Sequence, residues 1–282
     1  MLAQIRGLVL DERLWGEHDK LITLLTADRG KTVAVVKGGS SLKNKIGGAC
    51  MPFAYSELTL ADRGGTPWVR EANEIRGFHG IRSDLEKTAT ALYVLDVVKE
   101  VCVEDGEESE MLQLALNTLH AIETDLKPVT LIKAAFELRT AAACGFSPDL
   151  VACSECGEDN GGLMYLDVMD GVITCRKCRE RHRGEAPAEG HTTLVMILDR
   201  PLLDAMRLVA YSPAKKFLSF EIPEEDSRLF CSYCEKFLLN HIDRGFSSLE
   251  FLKSLRELPP LPDTAGGEQG DKVEGDGDAQ EE

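Results

Sequence analysis

Two C-x2-C pairs constrain this chain more than any other feature of its sequence. Cys153 and Cys156 form the first pair, Cys175 and Cys178 form the second, and 18 residues separate the two pairs. The two-residue gap lets both thiolates of a pair reach one ion, and two pairs complete a tetrahedral shell. Four protein ligands leave no open position, so the spacing predicts one structural Zn²⁺ per chain. Four reduced thiols, or a site that has lost its metal, are the alternatives.

Basic residues crowd around the second cysteine pair. Arg176, Lys177 and Arg179 lie within it or directly after it, and Arg181 and Arg183 follow. In one interpretation these cations offset the negative charge of four thiolates on a divalent ion. In the other they form a rim that binds phosphate groups.

The charge of the chain is distributed unevenly. Its 282 residues include 48 acidic and 32 basic side chains, which give a formal net charge of −16. Residues 1–80 nevertheless hold eleven Lys/Arg and nine Asp/Glu, a net charge of +2. The acidity of the whole chain therefore does not exclude a polyanionic partner for its N-terminal part.

The sequence predicts a cytoplasmic protein without a membrane anchor. No apolar run approaches the ~18 residues that a membrane span requires. The first residues lack the basic and apolar regions of a secretory signal. In a reducing compartment, nine cysteines are more typical of metal ligands or buried thiols than of disulfides.

The first 80 residues predict a β-rich domain. Five apolar segments, separated by glycine-rich turns, cover residues 4–10, 20–26, 31–37, 53–60 and 68–72. Five short strands within about 80 residues favour a small closed barrel. An open meander on a larger sheet is the alternative.

From Ser83 onward the apolar period changes to three or four residues, which is typical of helices. Ser83 and Glu86 match a capping box at the start of the first helix. Further helices are expected around residues 111–122, 128–144, 200–210, 224–243 and 247–257. We therefore expect an all-α domain over residues 81–258, with the zinc site in an insertion at 150–192. Residues 259–282 carry eight acids and no aromatic residue, and they predict a disordered tail.

No motif predicts an enzyme. The phosphate-binding loop, the dinucleotide fingerprint, HExxH and GxSxG are all missing from the sequence. Cys231 and Cys234 form another C-x2-C pair, but they share an apolar helical face and have no matching pair. We expect them to be buried core thiols.

Three segments resemble the bacterial DNA repair protein RecO family. The first comprises Gly7 to Leu10, Gly16 to Lys20, Thr26 to Lys31, and Lys37-Gly38. The second comprises Ala135 to Arg139 and Gly145 to Leu150, directly before the first cysteine pair. The third and weakest is Ser247 to Leu252, so the resemblance extends from residue 1 to about residue 258.

The resemblance implies an α+β multidomain chain, with an N-terminal five-stranded OB-fold barrel and a helical domain that carries the zinc site. It implies a recombination mediator that binds single- and double-stranded DNA and anneals complementary strands. It also implies action with RecR to load RecA, and contact with the C-terminal tail of the single-strand DNA-binding protein. Three other hypotheses remain: an assembly partner of RecR with little intrinsic DNA binding, a zinc-dependent nucleic-acid enzyme, and a transcription regulator.

The candidate contact residues are basic. On the barrel, the candidates for DNA binding are Arg29, Lys31, Lys37, Lys43, Lys45 and Arg70. Arg176, Lys177 and Arg179 beside the cysteines are added to them. Trp15 is a candidate for base stacking, whereas Phe53, Tyr55 and Trp68 are expected to lie mostly in the core. Each basic residue could instead be a solvated surface charge.

Two further hypotheses concern partners and regulation. Lys133 and Arg139 on the 128–144 helix are candidates for the basic rim of a groove that binds the acidic tail of the single-strand DNA-binding protein. They could instead be ordinary exposed helix charges. The acidic segment 259–282 either solvates the chain or folds back on the barrel and competes with DNA.

Overall fold

The computed structural model describes residues 2–41, 44–61, 64–159, 161–181 and 194–257. Its N-terminal part is the predicted barrel, closed in the order β1-β2-β3-β5-β4 with β4 paired to β1. A parallel pairing of Val35 with Trp68 joins β3 to β5, and the other pairings are antiparallel. The strands are β1 (Leu2–Trp15), β2 (Asp19–Thr26), β3 (Gly30–Val36), β4 (Tyr55–Ala61) and β5 (Trp68–Arg76).

The barrel has its own apolar interior. Val9, Ile22, Leu24 and Leu58 are fully buried there, because alternate residues of each strand point inward. Leu8, Leu10 and Leu25 point the other way and join the core of the helical part. The barrel is therefore packed on one side and open to solvent on others.

The helical part contains the predicted helices and one short helix, Arg176–Arg181, that the sequence did not predict. They are α1 (Leu85–Val101), α2 (Ser109–Glu123), α3 (Val129–Ala143), α4 (Arg176–Arg181), α5 (Arg200–Tyr211), α6 (Glu224–Ile242) and α7 (Ser247–Glu257). Tyr93, Phe136 and Phe237 are among the fully buried side chains at the centre of their core. The domain boundary at residue 80 remains a prediction.

The start of α1 differs from the prediction. Asp84 caps the helix, because its carboxylate accepts a hydrogen bond from the backbone N–H of Lys87 at 2.8 Å. The Ser83 hydroxyl donates instead to the carbonyl oxygen of Gly80, in the 3-10 turn His79–Ser83. Ser and Asp are equally good caps, so the sequence could not rank two adjacent candidates.

The cysteine-containing insertion has a sheet that the sequence did not predict. Strands β6 (Met164–Asp167), β7 (Val172–Cys175) and β8 (Val195–Leu198) pair in the order β7-β6-β8. Four-residue strands show too little alternation to be recognised in a sequence. The sheet extends to Leu198, beyond the expected end of the insertion at residue 192.

The turn between β2 and β3 joins the barrel to the helices. The N–H of Lys31 donates to the carbonyl oxygen of Val103 at 2.9 Å, and the N–H of Asp105 donates to the carbonyl oxygen of Arg29 at 3.1 Å.

Among the residues that the structure describes, no helix is long and apolar enough to cross a membrane. The predicted disorder of residues 259–282 concerns a segment outside these residues.

Candidate metal site and nucleic-acid interface

The four predicted ligand cysteines come together at one point. Their Sγ atoms all lie within 4.8 Å of one another, and those of Cys156 and Cys175 are 3.9 Å apart. Cys153 and Cys156 lie in the turns before β6, Cys175 ends β7, and Cys178 lies in α4. Cys156 is exposed, while the other three are buried. This cluster could hold a metal ion.

Local backbone geometry prepares the cluster for a cation. Burial raises the pKa of the Cys153 thiol, but backbone N–H groups of Cys156, Cys175 and Glu155 outweigh it and lower the pKa to about 6. The Cys175 N–H lies 3.2 Å from the sulfur of Cys153. Gly157, with φ of +72°, supplies the tight turn after the first pair. The backbone therefore favours a thiolate, which is the form that binds metal.

The thiol of Cys178 shows why the cysteine cluster needs a cation. Burial and the neighbouring cysteine thiols raise the pKa of Cys178 well above its ordinary value. Four thiolates packed this closely repel one another, and without a positive charge they do not all ionise. The donor set therefore fits a divalent ion held by four sulfurs, with no position left for a substrate.

The predicted basic residues beside the cluster lie on α4. Arg176 and Glu180 form an i,i+4 ion pair at 2.8 Å, with the arginine side chain 69% exposed. Lys177 and Arg179 are also exposed, and the Arg179 guanidinium lies over the Tyr165 ring, 5.0 Å from its centroid. This arrangement is compatible with both interpretations of the basic residues, which are compensation of the thiolate charge and a rim that binds phosphate.

A row of residues crosses the outer face of the barrel. Arg13 of β1 lies opposite Leu21 of β2, Leu21 opposite Val35 of β3, and Val35 opposite Trp68 of β5. Leu21 and Val35 are nearly buried, whereas Arg13 is exposed and Trp68 is partly exposed. Cross-strand neighbours on one face are within contact distance, so these residues form a continuous row across the strands.

Cations and a second tryptophan border this row. The Lys37 ammonium lies 4.7 Å from the centroid of the Trp68 ring. Trp15 is paired with Asp19 at the end of β1 and is 48% exposed, and the Arg70 side chain is 55% exposed. We call this surface the tryptophan face; its members are Arg13, Trp15, Leu21, Val35, Lys37, Trp68 and Arg70.

Among the cationic and aromatic members of the tryptophan face, two were not predicted from the sequence as contact residues. Trp68 was expected in the core and Arg13 was not a candidate. The alternation Trp68-Val69-Arg70 contains the signal, since Val69 is buried in the barrel and its neighbours point outward. Alternate residues of β5 point to opposite faces of the sheet. Which set faces solvent depends on the pairing of β5 with β3, and no local sequence pattern shows this pairing.

The other barrel candidates divide between two places. Lys45 is exposed, and the adjacent Asn44 binds the carbonyl oxygen of Lys37 at 3.0 Å, which keeps this turn beside the tryptophan face. Lys43 lies outside the described residues. Arg29 and Lys31 lie at the opposite end of the β2–β3 hairpin, ~20 Å away along the strand.

The surroundings of Arg29 and Lys31 are unfavourable for a polyanion. The exposed acids Glu104, Asp105 and Glu107 lie in the loop that packs against this turn. The Lys31 ammonium is partly buried and donates to the carbonyl oxygen of Lys99 at 2.7 Å. The structure therefore favours a structural role for Lys31, and it does not bring these two residues together with Lys37.

The expectation of a basic rim on α3 is wrong. Lys133 is only 4% exposed and lies between the carboxylates of Glu137 and Glu235, at 2.7 and 2.8 Å. The Arg139 side chain is 12% exposed and is paired with Glu110. Both cations are therefore neutralised within the protein, and the alternative of simple exposed helix charges is wrong for them as well.

Cys231 and Cys234 behave as expected for core thiols. Cys234 is fully buried, and Cys231 is half-buried and donates to the carbonyl oxygen of Thr130 at 3.4 Å. Burial raises the pKa of both thiols. Neither belongs to the metal cluster.

Two family models match this chain. The one described as Recombination protein O N terminal matches residues 1–78, and the one described as Recombination protein O C terminal matches residues 82–250. The DNA repair protein RecO of Acetivibrio thermocellus is 26% identical over 253 residues, which cover 89% of this chain and 96% of the relative.

Other relatives carry the same name. That of Symbiobacterium thermophilum is 28% identical over 264 residues, covering 90% of this chain and 98% of the relative. That of Anaeromyxobacter dehalogenans strain 2CP-1 is 32% identical over 179 residues, covering 62% of this chain and 70% of the relative. The similarity thus extends over both the barrel and the helical part.

Proposed function

Since the chain belongs to the DNA repair protein RecO family, and its role therefore lies in DNA repair and recombination, we propose that it binds single- and double-stranded DNA and anneals complementary strands. It does so as a mediator without catalytic chemistry. In this proposal it works with RecR to help load RecA in the bacterial cytoplasm.

The tryptophan face is the observation that carries this proposal. Single strands are bound by grooves that combine cations for the phosphates with aromatic rings for the bases. Here Trp15 and Trp68 supply the rings, and Arg13, Lys37 and Arg70 supply the charges. Leu21 and Val35, which are nearly buried, lie between them in the cross-strand row.

The distribution of charge supports binding at this end of the barrel. Asp19, which is paired with Trp15 beside this face, accepts a hydrogen bond from the backbone N–H of Gly38 at 2.8 Å and so has a structural role. The acidic loop at the other end would repel phosphate. DNA therefore lies across the tryptophan face and away from Arg29 and Lys31.

We assign the ion of the cysteine cluster as zinc with a structural role. Four thiolates in tetrahedral spacing select zinc among the common cellular metals, with sulfurs ~3.8 Å apart for a bond length of about 2.3 Å. The distance of 3.9 Å between the sulfurs of Cys156 and Cys175 fits this value. A full shell of protein ligands also argues against a zinc-dependent enzyme, since no position remains for an activated water.

A role as an assembly partner of RecR with little intrinsic DNA binding is the second candidate. It is favoured by the few lysines, Lys43 and Lys45, that follow Lys37-Gly38. Fewer phosphate contacts mean lower affinity and a shallower dependence on salt. The contact with the single-strand DNA-binding protein is part of the proposal, but α3 offers no basic rim for it.

An annealing assay with complementary oligonucleotides tests the proposal. The full chain is assayed with and without RecR, and the zinc content is measured on the same sample. We expect annealing by the chain alone at low salt, and weaker annealing by the double variant Trp68→Ala/Lys37→Glu. Binding of labelled strands only in the presence of RecR would replace the proposal with the assembly role.

A further inference from the structure

We propose that the outer face of the β7-β6-β8 sheet is a second contact surface for single-stranded nucleic acid, with Tyr165 as a base-stacking residue. This inference rests on the DNA binding proposed above and extends it beyond the barrel. It also assigns the cysteine-containing insertion a function in binding, in addition to stabilising the fold.

The two faces of this sheet differ in character. The inner face is buried and, apart from the candidate ligand Cys175, apolar; its apolar members are Met164, Leu166, Ile173, Met196 and Leu198. Tyr165 is central on the outer face, where it pairs with Thr174 of β7 on one side and Ile197 of β8 on the other. Tyr165 and Thr174 are partly exposed, and Ile197 is 49% exposed.

The cations of α4 border this face on one side. The guanidinium of Arg179 lies 5.0 Å from the centre of the Tyr165 ring. Arg176 and Lys177 line an adjacent cavity of about 280 Å³, together with Gly162 and Leu163. Leu163 is 43% exposed, so the cavity has an apolar wall beside two positive charges.

This combination fits a nucleotide better than a peptide. Bases stack on aromatic rings and on planar guanidinium groups, and phosphates bind lysine and arginine. Four of the six residues of α4 are basic, so the charge on this edge is concentrated enough to hold successive phosphates. An acidic peptide could pair with the cations, but its carboxylates would not stack on the ring of Tyr165 or on the guanidinium of Arg179.

The position of a strand on this face follows from its charges. The second cross-strand row contains Asp167, between Val172 and Val195. Its carboxylate repels phosphate, whereas the row of Tyr165 lies toward α4. A strand therefore runs along α4, with a base against Tyr165 and its backbone over Arg176 and Lys177.

Oligonucleotide length separates this surface from the barrel. An oligonucleotide of ~8 nucleotides fills one OB-fold, whereas a ~30-nucleotide strand can reach a second surface. Binding of both lengths is measured by fluorescence anisotropy with the full chain. We expect Tyr165→Ala to weaken binding of the long strand about fivefold or more and to leave the short one unchanged.

Two matched variants and a folding control accompany this measurement. Tyr165→Phe keeps the ring and should bind as the original chain does. Met169→Ala changes an exposed residue of the turn between β6 and β7, outside the proposed surface, and should also leave binding unchanged. Zinc content, measured for each variant, reports whether the insertion is folded. Equal binding of the long strand by zinc-loaded Tyr165→Ala and Met169→Ala would overturn the inference.

Photo-crosslinking provides a measurement that needs no variant. A long strand carrying 5-iodouracil is irradiated with the original chain, and the cross-linked peptides are identified by mass spectrometry. A cross-link at Tyr165 supports the inference, and cross-links confined to the barrel overturn it. If neither length binds, the proposed DNA binding itself fails, which is a distinct result from a long strand that binds without Tyr165.

Discussion

Lys133 and Glu137 form an ion pair of 2.7 Å inside the contact between α3 and α6, with side chains only 4% and 0% exposed. The Tyr93 hydroxyl donates to the same carboxylate oxygen of Glu137 at 2.8 Å. Glu235 completes the shell of Lys133 at 2.8 Å and also binds Lys253 at the surface. Lys133, which the sequence indicated as a candidate binding residue, is therefore part of the core.

Removal of the lysine alone should destabilise the protein strongly. Lys133→Met leaves Glu137 buried without a counter-charge, and we expect a loss of ~3–5 kcal/mol in the free energy of unfolding. The double variant Lys133→Met/Glu137→Leu should recover much of this loss. Urea unfolding measures both, with Lys236→Met on the exposed side of α6 as the control. Equal stability of the two single-lysine variants would contradict a buried pair.

The same cluster should contribute to the acid sensitivity of the protein. Burial raises the pKa of Glu235, but Lys133 and Lys253 outweigh it and hold the pKa below its ordinary 4.5. A lowered pKa contributes stability that is present above 4.5 and is lost as the pH falls through the folded-state value. The stability difference between the original chain and Glu235→Gln should therefore shrink in acid. A difference that is constant from neutral pH into acid would refute this assignment.

Local chemistry was readable from the sequence. The spacing of Cys153, Cys156, Cys175 and Cys178 predicted the cluster, because ligand geometry depends on residues close in the chain. The barrel was equally predictable from apolar segments and glycine turns. The small sheet around the cluster was not, since β8 pairs with β6 across a long intervening segment and its four residues form no recognisable pattern.

Long-range pairing limited the prediction of the site. Lysine is exposed by default, so the burial of Lys133 follows only from Glu235, which lies on a helix about 100 residues away. The outward position of Trp68 similarly depends on its pairing with Val35. The cationic residues were recognised, but which of them share one surface could be seen only in three dimensions.

The two ends of the β2–β3 hairpin should differ in DNA binding. Lys37→Glu with Lys45→Glu changes the tryptophan face and its border, and should weaken single-strand binding and lower the salt slope by about 0.7 for each phosphate contact removed. Arg29→Glu makes the charge change of the single variant Lys37→Glu at the acidic end, and it should leave both quantities unchanged. Titrations over a range of salt concentrations test this, and an equal loss at both ends would contradict the assigned face.

Removal of the metal should unfold the insertion and spare the barrel. We expect a thiol-reactive mercurial to release one zinc per chain into a chromogenic chelator. Structural zinc sites contribute an apparent ~10–16 kcal/mol to local folding, so amide exchange should accelerate around Cys153 to Cys178. Cys175→Ser should be purified without zinc, whereas Cys144→Ser, outside the cluster, should keep it. Full zinc content in Cys175→Ser would exclude the four-sulfur site.

Gly30 should be essential for the joint between the barrel and the helices. Its φ is +57°, and a Cβ there would lie 2.2 Å from the carbonyl oxygen of Val103, so Gly30→Ala must displace the backbone. Gly38 has a nearly identical φ of +60° but open space around it. We expect Gly38→Ala to cost only the backbone strain of about 1–2 kcal/mol. Gly30→Ala should cost clearly more, because the Lys31–Val103 hydrogen bond of 2.9 Å depends on the same close approach. Thermal unfolding of the two variants measures the contrast, and equal losses would mean that the helices do not need this contact.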